Sequence, residues 1–272
     1  MHRVPPARSI SLLDKTGARG MLKTNVKANR LDVEMVARGL ADSREQAQRF
    51  ILAGEVWVEG QRWDKASKPC AAGLQMEVRG HDRYVSRGGH KLEGALKGFS
   101  LEVAGLRCLD VGASTGGFTD CLLQHGVGEV IAVDVGHGQL HWKLRNDPRV
   151  TVFEGVNARE LGTVELEGVN PESFDLVVCD VSFISLRLIL PPAFDLLDSG
   201  GRVVALIKPQ FEAGRAEVGK GGIVRDPAVR QRVVDSLLRW AEDFPVRSVG
   251  VIPSPLPGRD GNEEFLWLLQ KK

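Results

Sequence analysis

Short apolar runs alternate with amphipathic stretches along the C-terminal two thirds of the chain. The runs are rich in Val, Ile and Leu and several end at a charged residue, whereas the stretches between them place apolar residues three or four positions apart. Such runs are typical of buried parallel strands, and such stretches of helices with one apolar face. The pattern predicts a Rossmann-like, doubly wound α/β sheet of seven strands, parallel except for an antiparallel last strand. The predicted strands are two that end at Asp110 and Asp134, followed by 149–153, 174–180, 202–208, 247–252 and 264–269.

A different pattern precedes the sheet, in residues 28–79. Apolar positions at helical spacing predict two short helices, and a capping box formed by Ser43 and Gln46 marks the start of the second. Short runs of strand-forming residues follow these helices. We therefore predict a small α+β domain at residues 28–79, a linker at 80–90 and the sheet domain at 91–272.

Charge is distributed unevenly along the chain. The net charge is +1, but residues 1–97 carry 18 Lys and Arg against 11 Asp and Glu, a net charge of +7. Residues 1–27 contain six basic residues and one acid without sustained periodicity, which predicts a basic flexible tail. Met21 leaves open whether this tail belongs to the native protein. The basic N-terminal part suggests a polyanionic partner, although a solvated charged surface would explain the charge equally well.

The remaining composition indicates a cytoplasmic protein. The hydrophobic fraction of 43% is that of an ordinary globular protein. The four cysteines form no C-x-x-C pair, and we expect small buried thiols in a reducing compartment. No apolar stretch approaches the ~20 residues that span a bilayer, and the N-terminus lacks the apolar segment of a signal peptide. We therefore expect no stable membrane association.

A glycine-rich turn within residues 106–134 is the first candidate binding site. The predicted strand ending at Asp110 is followed by Gly112 and Gly116, then by a helix and a second strand ending at Asp134. Such glycines let a ligand approach the backbone, and an acid that ends the second strand can accept hydrogen bonds from a ribose diol. The alternative is a plain βαβ unit with a tight turn.

The details of this turn favour one nucleoside cofactor. The G-x-G-x-x-G spacing of a dinucleotide site is absent. A carboxylate at Asp110 would repel a pyrophosphate but tolerate a sulfonium and an ammonium group, which fits S-adenosyl-L-methionine. The predicted cofactor-binding residues are Asp110, Gly112, Ser114, Thr115, Gly116, Asp134 and, at the adenine end, Asn157.

Two further charges lie at predicted strand ends, Asp180 and Lys208. Asp180 begins the sequence D-V-S-F, which lacks both prolines of the signature of amino-group methyltransferases. A lysine at the end of the next strand suits a hydroxyl acceptor, because a ribose 2′-OH is a very weak acid. Its reaction needs a positioned base or a cation that stabilises the developing alkoxide.

Six ordered motifs resemble those of the TlyA family, whose members combine an S4 domain with an FtsJ-type methyltransferase domain. The motifs are S-R-G-G-H-K at 86–91, L-D-V-G-A-S-T-G-G-F-T at 109–119, D-V-G-H-G-Q-L at 134–140, D-V-S-F-I-S-L at 180–186, K-P-Q-F-E at 208–212 and S-P-L-P-G-R-D-G-N-E-E-F at 254–265. The resemblance implies S-adenosylmethionine-dependent 2′-O-methylation of cytidine in ribosomal RNA, 16S, 23S or both. It also implies a catalytic Lys-Asp-Lys-Glu tetrad of Lys91, Asp180, Lys208 and Glu264, in which Lys208 activates the 2′-OH. Glu263 is the alternative fourth member.

The segment from Ala28 to Gly60 resembles an S4-type RNA-binding domain, which implies contact with structured RNA. The predicted RNA-binding residues of this segment and the strands after it are Arg30, Arg38, Arg44, Arg49, Lys65 and Lys68. Arg87, four residues before Lys91, is a further predicted RNA-binding residue. The expected partner is ribosomal RNA or a ribosomal subunit. No metal site is predicted, and the sequence leaves the target nucleotide and the oligomeric state open.

Two other classes of function remain as alternatives. A protein with this S4-like domain could be a non-catalytic ribosome-binding factor. TlyA-like proteins have also been named haemolysins, which raises a membrane-active protein as a weaker alternative. The sequence has neither a spanning segment nor a strongly amphipathic basic helix to support membrane activity.

Overall fold

The computed structural model describes residues 28–41, 43–80, 83–161, 174–258 and 260–272. The predicted basic tail at 1–27 lies outside the described residues. The chain divides into two compact units, Met1–His81 and Asp82–Lys272.

The first unit is a small α+β domain, as predicted. Ser43 Oγ accepts a hydrogen bond from the Gln46 N–H at 3.2 Å and so caps the second helix, which ends at Gly54 in the left-handed conformation. The core contains Leu31, Met35 and other apolar side chains of both helices and the sheet. The elements are β1 (Asn29–Arg30), α1 (Leu31–Ala37), α2 (Arg44–Ala53), β2 (Val56–Val58), β3 (Gln61–Arg62), β4 (Pro69–Cys70) and β5 (Met76–Val78). Strand β1 pairs with β4, and β3, β2 and β5 form an antiparallel sheet in that order.

The second unit contains the predicted seven-stranded sheet. The strands are β6 (Arg107–Val111), β7 (Glu129–Asp134), β8 (Val150–Glu154), β9 (Phe174–Cys179), β10 (Leu197–Ile207), β11 (Val246–Pro253) and β12 (Phe265–Lys271). Their order is β11-β12-β10-β9-β6-β7-β8, and β12 alone runs antiparallel to its neighbours within this sheet. The prediction of a parallel sheet with an antiparallel last strand is confirmed.

Helices cover both faces of this sheet. They are α3 (Gly88–Gly98), α4 (Gly117–Gln124), α5 (Trp142–Arg145), α6 (Leu186–Asp195), α7 (Pro209–Glu212) and α8 (Pro227–Ala241). Successive strand residues alternate between the faces: Leu109 and Val111 belong to the core that contains α6 and α8, whereas Cys108 belongs to the core of α3 and α4. Both faces are therefore apolar, which explains why the strands are near-continuous apolar runs.

The boundary between the units lies earlier than the sequence suggests. Residues 83–90, predicted as part of a linker, pack into the second unit: Tyr84 is buried in the core of α3 and α4, and α3 already begins at Gly88. One aromatic residue among polar and glycine neighbours gives no periodic signal, so the sequence pattern did not reveal this packing. The four cysteines are buried and unpaired, as expected.

The topology places the candidate chemistry at one edge. The carboxyl ends of parallel strands point to the same edge of a sheet. Strands β10, β9, β6 and β7 are neighbours, and the segments that follow them begin with Lys208, Asp180, Gly112 and the loop after Asp134. Because β12 is antiparallel, its first residue Phe265 pairs with Ile207 and brings Glu264 to this edge.

The helices of the described residues are all too short or too polar to cross a membrane.

Trp267 provides a test of the core. Its side chain is fully buried, and its Nε1–H donates to Ser248 Oγ at 2.9 Å. We expect Trp267→Ala to lower the free energy of unfolding by about 3–5 kcal/mol, because the substitution leaves a large cavity. Trp142, which is 61% exposed, provides the matched control, and Trp142→Ala should change stability by less than about 0.5 kcal/mol. Urea unfolding followed by far-UV circular dichroism measures both, and equal losses would contradict the burial of Trp267.

Candidate active site

The turn between β6 and α4 is shaped by positions that only glycine fits. Gly112 and Gly116 have φ of +83° and +95°. A Cβ at Gly112 would lie 2.9 Å from the Asp180 carbonyl oxygen, and one at Gly116 would lie 2.2 Å from a methyl group of Leu144. Both positions therefore exclude other residues by conformation and by space. Ser114 adopts φ +49° between them, and the exposed Thr115 forms the tip of the turn.

Asp134 fixes this turn from the neighbouring strand. One carboxylate oxygen accepts the Ser114 N–H at 2.7 Å, and the other accepts the Gly136 N–H, also at 2.7 Å. Ser114 Oγ in turn bonds Gln139 Oε1 at 3.2 Å. Asp134 thus ties the glycine turn to the loop after β7 and stays partly exposed beside a cavity.

Asp110 does not occupy the position predicted for it. Strand β6 continues to Val111, so Asp110 lies inside the strand rather than at its end, and the side chain faces α4. It is fully buried and accepts the Thr119 hydroxyl at 2.6 Å, while its Oδ1 has no hydrogen-bond partner in the described part of the chain. Burial raises the pKa of Asp110 to about 7. Asp110 lies beneath the turn and does not line the cavities above it.

Two adjoining cavities open above the turn. The first, of about 460 Å³, has an apolar wall that includes Val156, Ile184 and Ile189, and it also contains Asp134 and Asn157. The second has a volume of about 590 Å³ and is lined by basic and small polar residues. Gly112, Ser114, Asp180 and Ser182 line both cavities, so the two form one elongated site.

Two lysine–carboxylate pairs occupy the second cavity. Lys208 Nζ lies 2.6 Å from Asp180 Oδ1 and also donates to Ser182 Oγ at 2.9 Å. Lys91 Nζ donates to Glu264 Oε2 at 2.5 Å. Both lysines are less than one tenth exposed. Such burial requires that each ammonium be paired, and each pair is formed across a long stretch of sequence.

The structure distinguishes the two adjacent glutamates. Glu264 is buried and bonds Lys91, whereas the Glu263 side chain is 64% exposed and pairs with Arg230 at 2.9 Å. Gly258 leaves room for Glu264, because a Cβ there would lie 2.5 Å from Glu264 Oε1. The geometry therefore favours Glu264 over Glu263 as the partner of Lys91.

Most of the predicted site residues come together here. The second cavity is lined by Arg87, Lys91, Gly112, Ser114, Thr115, Asp180 and Lys208. Arg87 donates to the Pro257 carbonyl at 2.8 Å. Sequence reasoning missed Ser182, the hydroxyl that receives the Lys208 hydrogen bond. Its only signal was a serine two residues after the acid of D-V-S-F.

The predicted basic residues of the first unit divide into two groups. Arg38 donates to Glu34 at 2.8 Å, to the Ala71 carbonyl at 3.2 Å and to the Leu74 carbonyl. Its guanidinium thus holds α1 against the segment before β5. Contact of Arg38 with RNA stays a prediction. The sequence alone does not show that the Arg38 guanidinium donates to backbone carbonyls of a later segment.

The fully buried Asp32 engages two of the other arginines. It accepts hydrogen bonds from Arg30 at 3.0 Å, from Arg44 at 3.2 Å and from Gln48 at 2.9 Å. The Arg30 hydrogen bond contributes most to a pKa of Asp32 well below its usual range. The remaining cations are exposed: Arg49, Lys65 and Lys68, whose Nζ lies 3.7 Å from the centre of the Trp63 ring.

Within the described ranges, no cluster of three or more His, Cys, Asp or Glu side chains is arranged to hold a metal ion.

Comparisons with known proteins identify both units. The family model of FtsJ-like methyltransferases matches residues 84–271, and that of the S4 domain matches residues 29–75. The 16S/23S rRNA (cytidine-2′-O)-methyltransferase TlyA of Mycobacterium tuberculosis is 49% identical over 249 residues, which cover 88% of this chain and 89% of that protein. Hemolysin A of Brachyspira hyodysenteriae is 44% identical over 237 residues, 87% of this chain and 98% of that protein. A solved structure from Streptococcus thermophilus, provisionally named a hemolysin, is 44% identical with a TM-score of 0.67 and covers 91% of this chain and 90% of its own.

Asp110 yields a prediction on pH. Its pKa is about 7 in the folded protein against an ordinary value of 3.8, so the folded state holds the proton more tightly than the unfolded state. Its contribution to stability is therefore present at low pH and is lost as the pH rises from about 4 to about 7. Asp110→Asn keeps an acceptor for Thr119 but does not titrate. We expect the variant to gain up to about 4 kcal/mol relative to wild type over this interval, since one pKa unit corresponds to about 1.4 kcal/mol.

Urea unfolding of both proteins between pH 4.5 and pH 8.5 provides the measurement. The unpaired N–H donor of the introduced amide changes the free energy of unfolding by the same amount at every pH. The decisive quantity is therefore how the difference in this free energy between variant and wild type changes with pH. A difference that is the same at pH 5 and at pH 8 would show that Asp110 is ionised throughout.

Proposed function

Since this chain belongs to the TlyA family of FtsJ-like methyltransferases, we propose that it uses S-adenosyl-L-methionine to methylate a cytidine ribose 2′-OH in ribosomal RNA. The observation that carries the proposal is the position of Lys208. Its ammonium group is fixed by Asp180 and Ser182 at the point where the two cavities meet.

The first cavity fits the nucleoside end of this cofactor. Asp134 ends β7 beside the glycine turn and can accept hydrogen bonds from a ribose diol, while the apolar wall suits an adenine ring. Gly112 approaches the Asp180 carbonyl closely, and Gly112, Asp180 and Ser182 line both this cavity and the one with the lysine pairs. The methionine end would then lie toward Asp180 and Ser182. Asp110 supports this arrangement from below the turn.

The second cavity fits the acceptor hydroxyl. S-adenosylmethionine bound here would supply a methyl group on a sulfonium. The 2′-oxygen would gain the bond to this carbon as the sulfur–carbon bond breaks, and the hydroxyl proton would pass to solvent. An ammonium has three N–H donors. Ser182 Oγ accepts one N–H of Lys208, and the Asp180 carboxylate lies 2.6 Å from the ammonium as an ion pair. The ammonium would therefore keep N–H donors that can stabilise the developing charge on the 2′-oxygen.

The first unit fits the proposed RNA substrate. The S4 match covers the segment with the exposed Arg49, Lys65 and Lys68. Cations on one small domain can bind phosphates without reading sequence. The relative from Mycobacterium tuberculosis is named for methylating cytidine in 16S and 23S rRNA, and we propose the same substrate class here.

Lys208→Ala tests the catalytic role. We expect methyl transfer to ribosomal subunits to fall by at least about a hundredfold, because the donor to the developing alkoxide is lost. Binding of S-adenosylmethionine, measured by calorimetry, should be retained. Lys97→Ala, at a lysine whose side chain is 71% exposed, is the control and should transfer methyl groups at the wild-type rate.

The assay uses labelled S-adenosylmethionine with small and large ribosomal subunits, followed by mapping of the modified ribose. Undiminished transfer by Lys208→Ala would overturn its role. No incorporation by the wild-type protein into either subunit would favour the non-catalytic binding factor, and lysis of red cells by the purified protein would favour the haemolysin.

The lysines of the first unit yield a second prediction. Replacing Lys65 and Lys68 together by Ala should weaken binding to ribosomal RNA and flatten its salt dependence. The slope of log K against log salt should decrease in magnitude by about 1–2, because each lost phosphate contact contributes about 0.7–0.9. Binding of S-adenosylmethionine should not change. Salt titrations of RNA affinity measure the slope, and an unchanged slope would place the RNA on another surface.

A further inference from the structure

Glu212 joins the two segments that carry the Lys208–Asp180 pair. It is the last residue of α7, the single helical turn that begins immediately after Lys208. Its Oε2 accepts the Ser185 hydroxyl and its Oε1 accepts the Leu186 N–H, both at 2.7 Å. Ser185 and Leu186 form the start of α6, five and six residues after Asp180. One carboxylate therefore holds the segment after β10 against the segment after β9.

The surroundings of Glu212 favour a fixed geometry. Ser185 Oγ also caps α6 by accepting the Arg187 N–H at 3.2 Å, so its hydroxyl hydrogen is committed to Glu212. The first N–H groups of a helix are unpaired within the helix and attract negative charge. Burial raises the pKa of Glu212, and these hydrogen bonds oppose that effect. The carboxylate is thus placed where the start of α6 satisfies it.

The two segments make contact at three successive points. At one end Lys208 forms an ion pair with Asp180 and donates a hydrogen bond to Ser182. In the middle the Phe211 and Phe183 rings lie 5.1 Å apart, centre to centre. At the other end stands the Glu212 carboxylate. Within α7 the Phe211 N–H bonds the Lys208 carbonyl at 2.9 Å, so the turn between the two ends is itself closed.

We propose that Glu212 is a positioning residue that sets the placement of Lys208 against Asp180, in addition to the tetrad. This inference rests on the proposed function of Lys208. Glu212 lies outside both cavities of the site, so it would act on the rate through Lys208 without touching cofactor or RNA. A displacement of about 1 Å in a catalytic group can cost about a hundredfold in rate.

The test compares Glu212→Ala with Glu212→Gln. Glutamine keeps an acceptor for the Leu186 N–H and a polar partner for Ser185, whereas alanine removes both. We expect Glu212→Ala to lower the single-turnover rate by about ten- to a hundredfold. The dissociation constant of S-adenosylmethionine and the half-saturating RNA concentration should stay within about twofold, as for an interaction that acts on the chemical step alone. Glu212→Gln should retain most of the rate.

Asp226→Ala is the matched control for stability. Asp226 caps α8 by accepting the Ala228 N–H at 2.8 Å, and its loss should cost about 1 kcal/mol without touching the catalytic segments. The inference fails if Asp226→Ala and Glu212→Ala lower the melting temperature equally and also lower the single-turnover rate equally. General destabilisation would then explain both effects. Should Glu212→Ala not fold, Ser185→Ala removes one of the two hydrogen bonds to Glu212, together with the cap on the Arg187 N–H, and should give a smaller effect in the same direction.

A second readout does not depend on activity. An amine-reactive reagent labels buried, paired lysines slowly, and mass spectrometry can compare Lys208 with Lys91, which is equally buried but pairs with Glu264. We expect Glu212→Ala to raise labelling of Lys208 and not of Lys91. An unchanged ratio, or a wild-type rate in Glu212→Ala, would overturn the inference. If the wild-type protein transfers no methyl group to ribosomal RNA, the proposed function fails while the labelling ratio still decides whether Glu212 positions Lys208.

Discussion

The burial of two lysines at one edge of the sheet is the constraint on which the site depends. A buried ammonium is costly unless a carboxylate and further polar groups surround it, and a buried pair gives weak net stability even then. Lys91 and Glu264 are 173 residues apart, and Lys208 and Asp180 belong to neighbouring strand ends. Only the assembled sheet brings these partners within hydrogen-bond distance. Burial of the two apolar faces of the sheet therefore offsets the cost of burying the ion pairs. The pairs contribute a fixed geometry and little net stability.

The antiparallel last strand is the topological feature that makes this geometry available. In a fully parallel sheet, the residue before β12 would lie at the opposite edge, far from the glycine turn. Because β12 is reversed and Phe265 pairs with Ile207, Glu264 arrives beside the end of β10. The same reversal explains why Glu264 precedes its strand in sequence while Asp180 and Lys208 follow theirs.

The sequence predicted the sheet and its reversed strand because each has a periodic signal. The motifs named four residues that the structure brings together as two lysine–carboxylate pairs. The sequence could not predict features that depend on register or on distant partners. Asp110 was expected to end its strand, but the strand continues to Val111. The Asp110 side chain is therefore buried within the strand and bonds Thr119 of α4. Arg38 looked like a free cation, yet its donors are taken by carbonyls more than thirty residues away. The motifs already favoured Glu264, with Glu263 as the alternative, and the structure adds the partner of each side chain.

The distribution of charge separates catalysis from RNA attraction. Near the second cavity the cations are already paired: Lys91 with Glu264, Lys208 with Asp180, and Arg87 with the Pro257 carbonyl. Residues 98–272 carry 18 Lys and Arg against 24 Asp and Glu, so this part of the chain as a whole repels a polyanion. Much of the N-terminal excess of positive charge lies in residues 1–27, and within the first unit Arg30, Arg38 and Arg44 are held by carboxylates. Under the proposed function, the N-terminal part of the chain would attract the RNA substrate, and the edge of the sheet with the lysine pairs would position it.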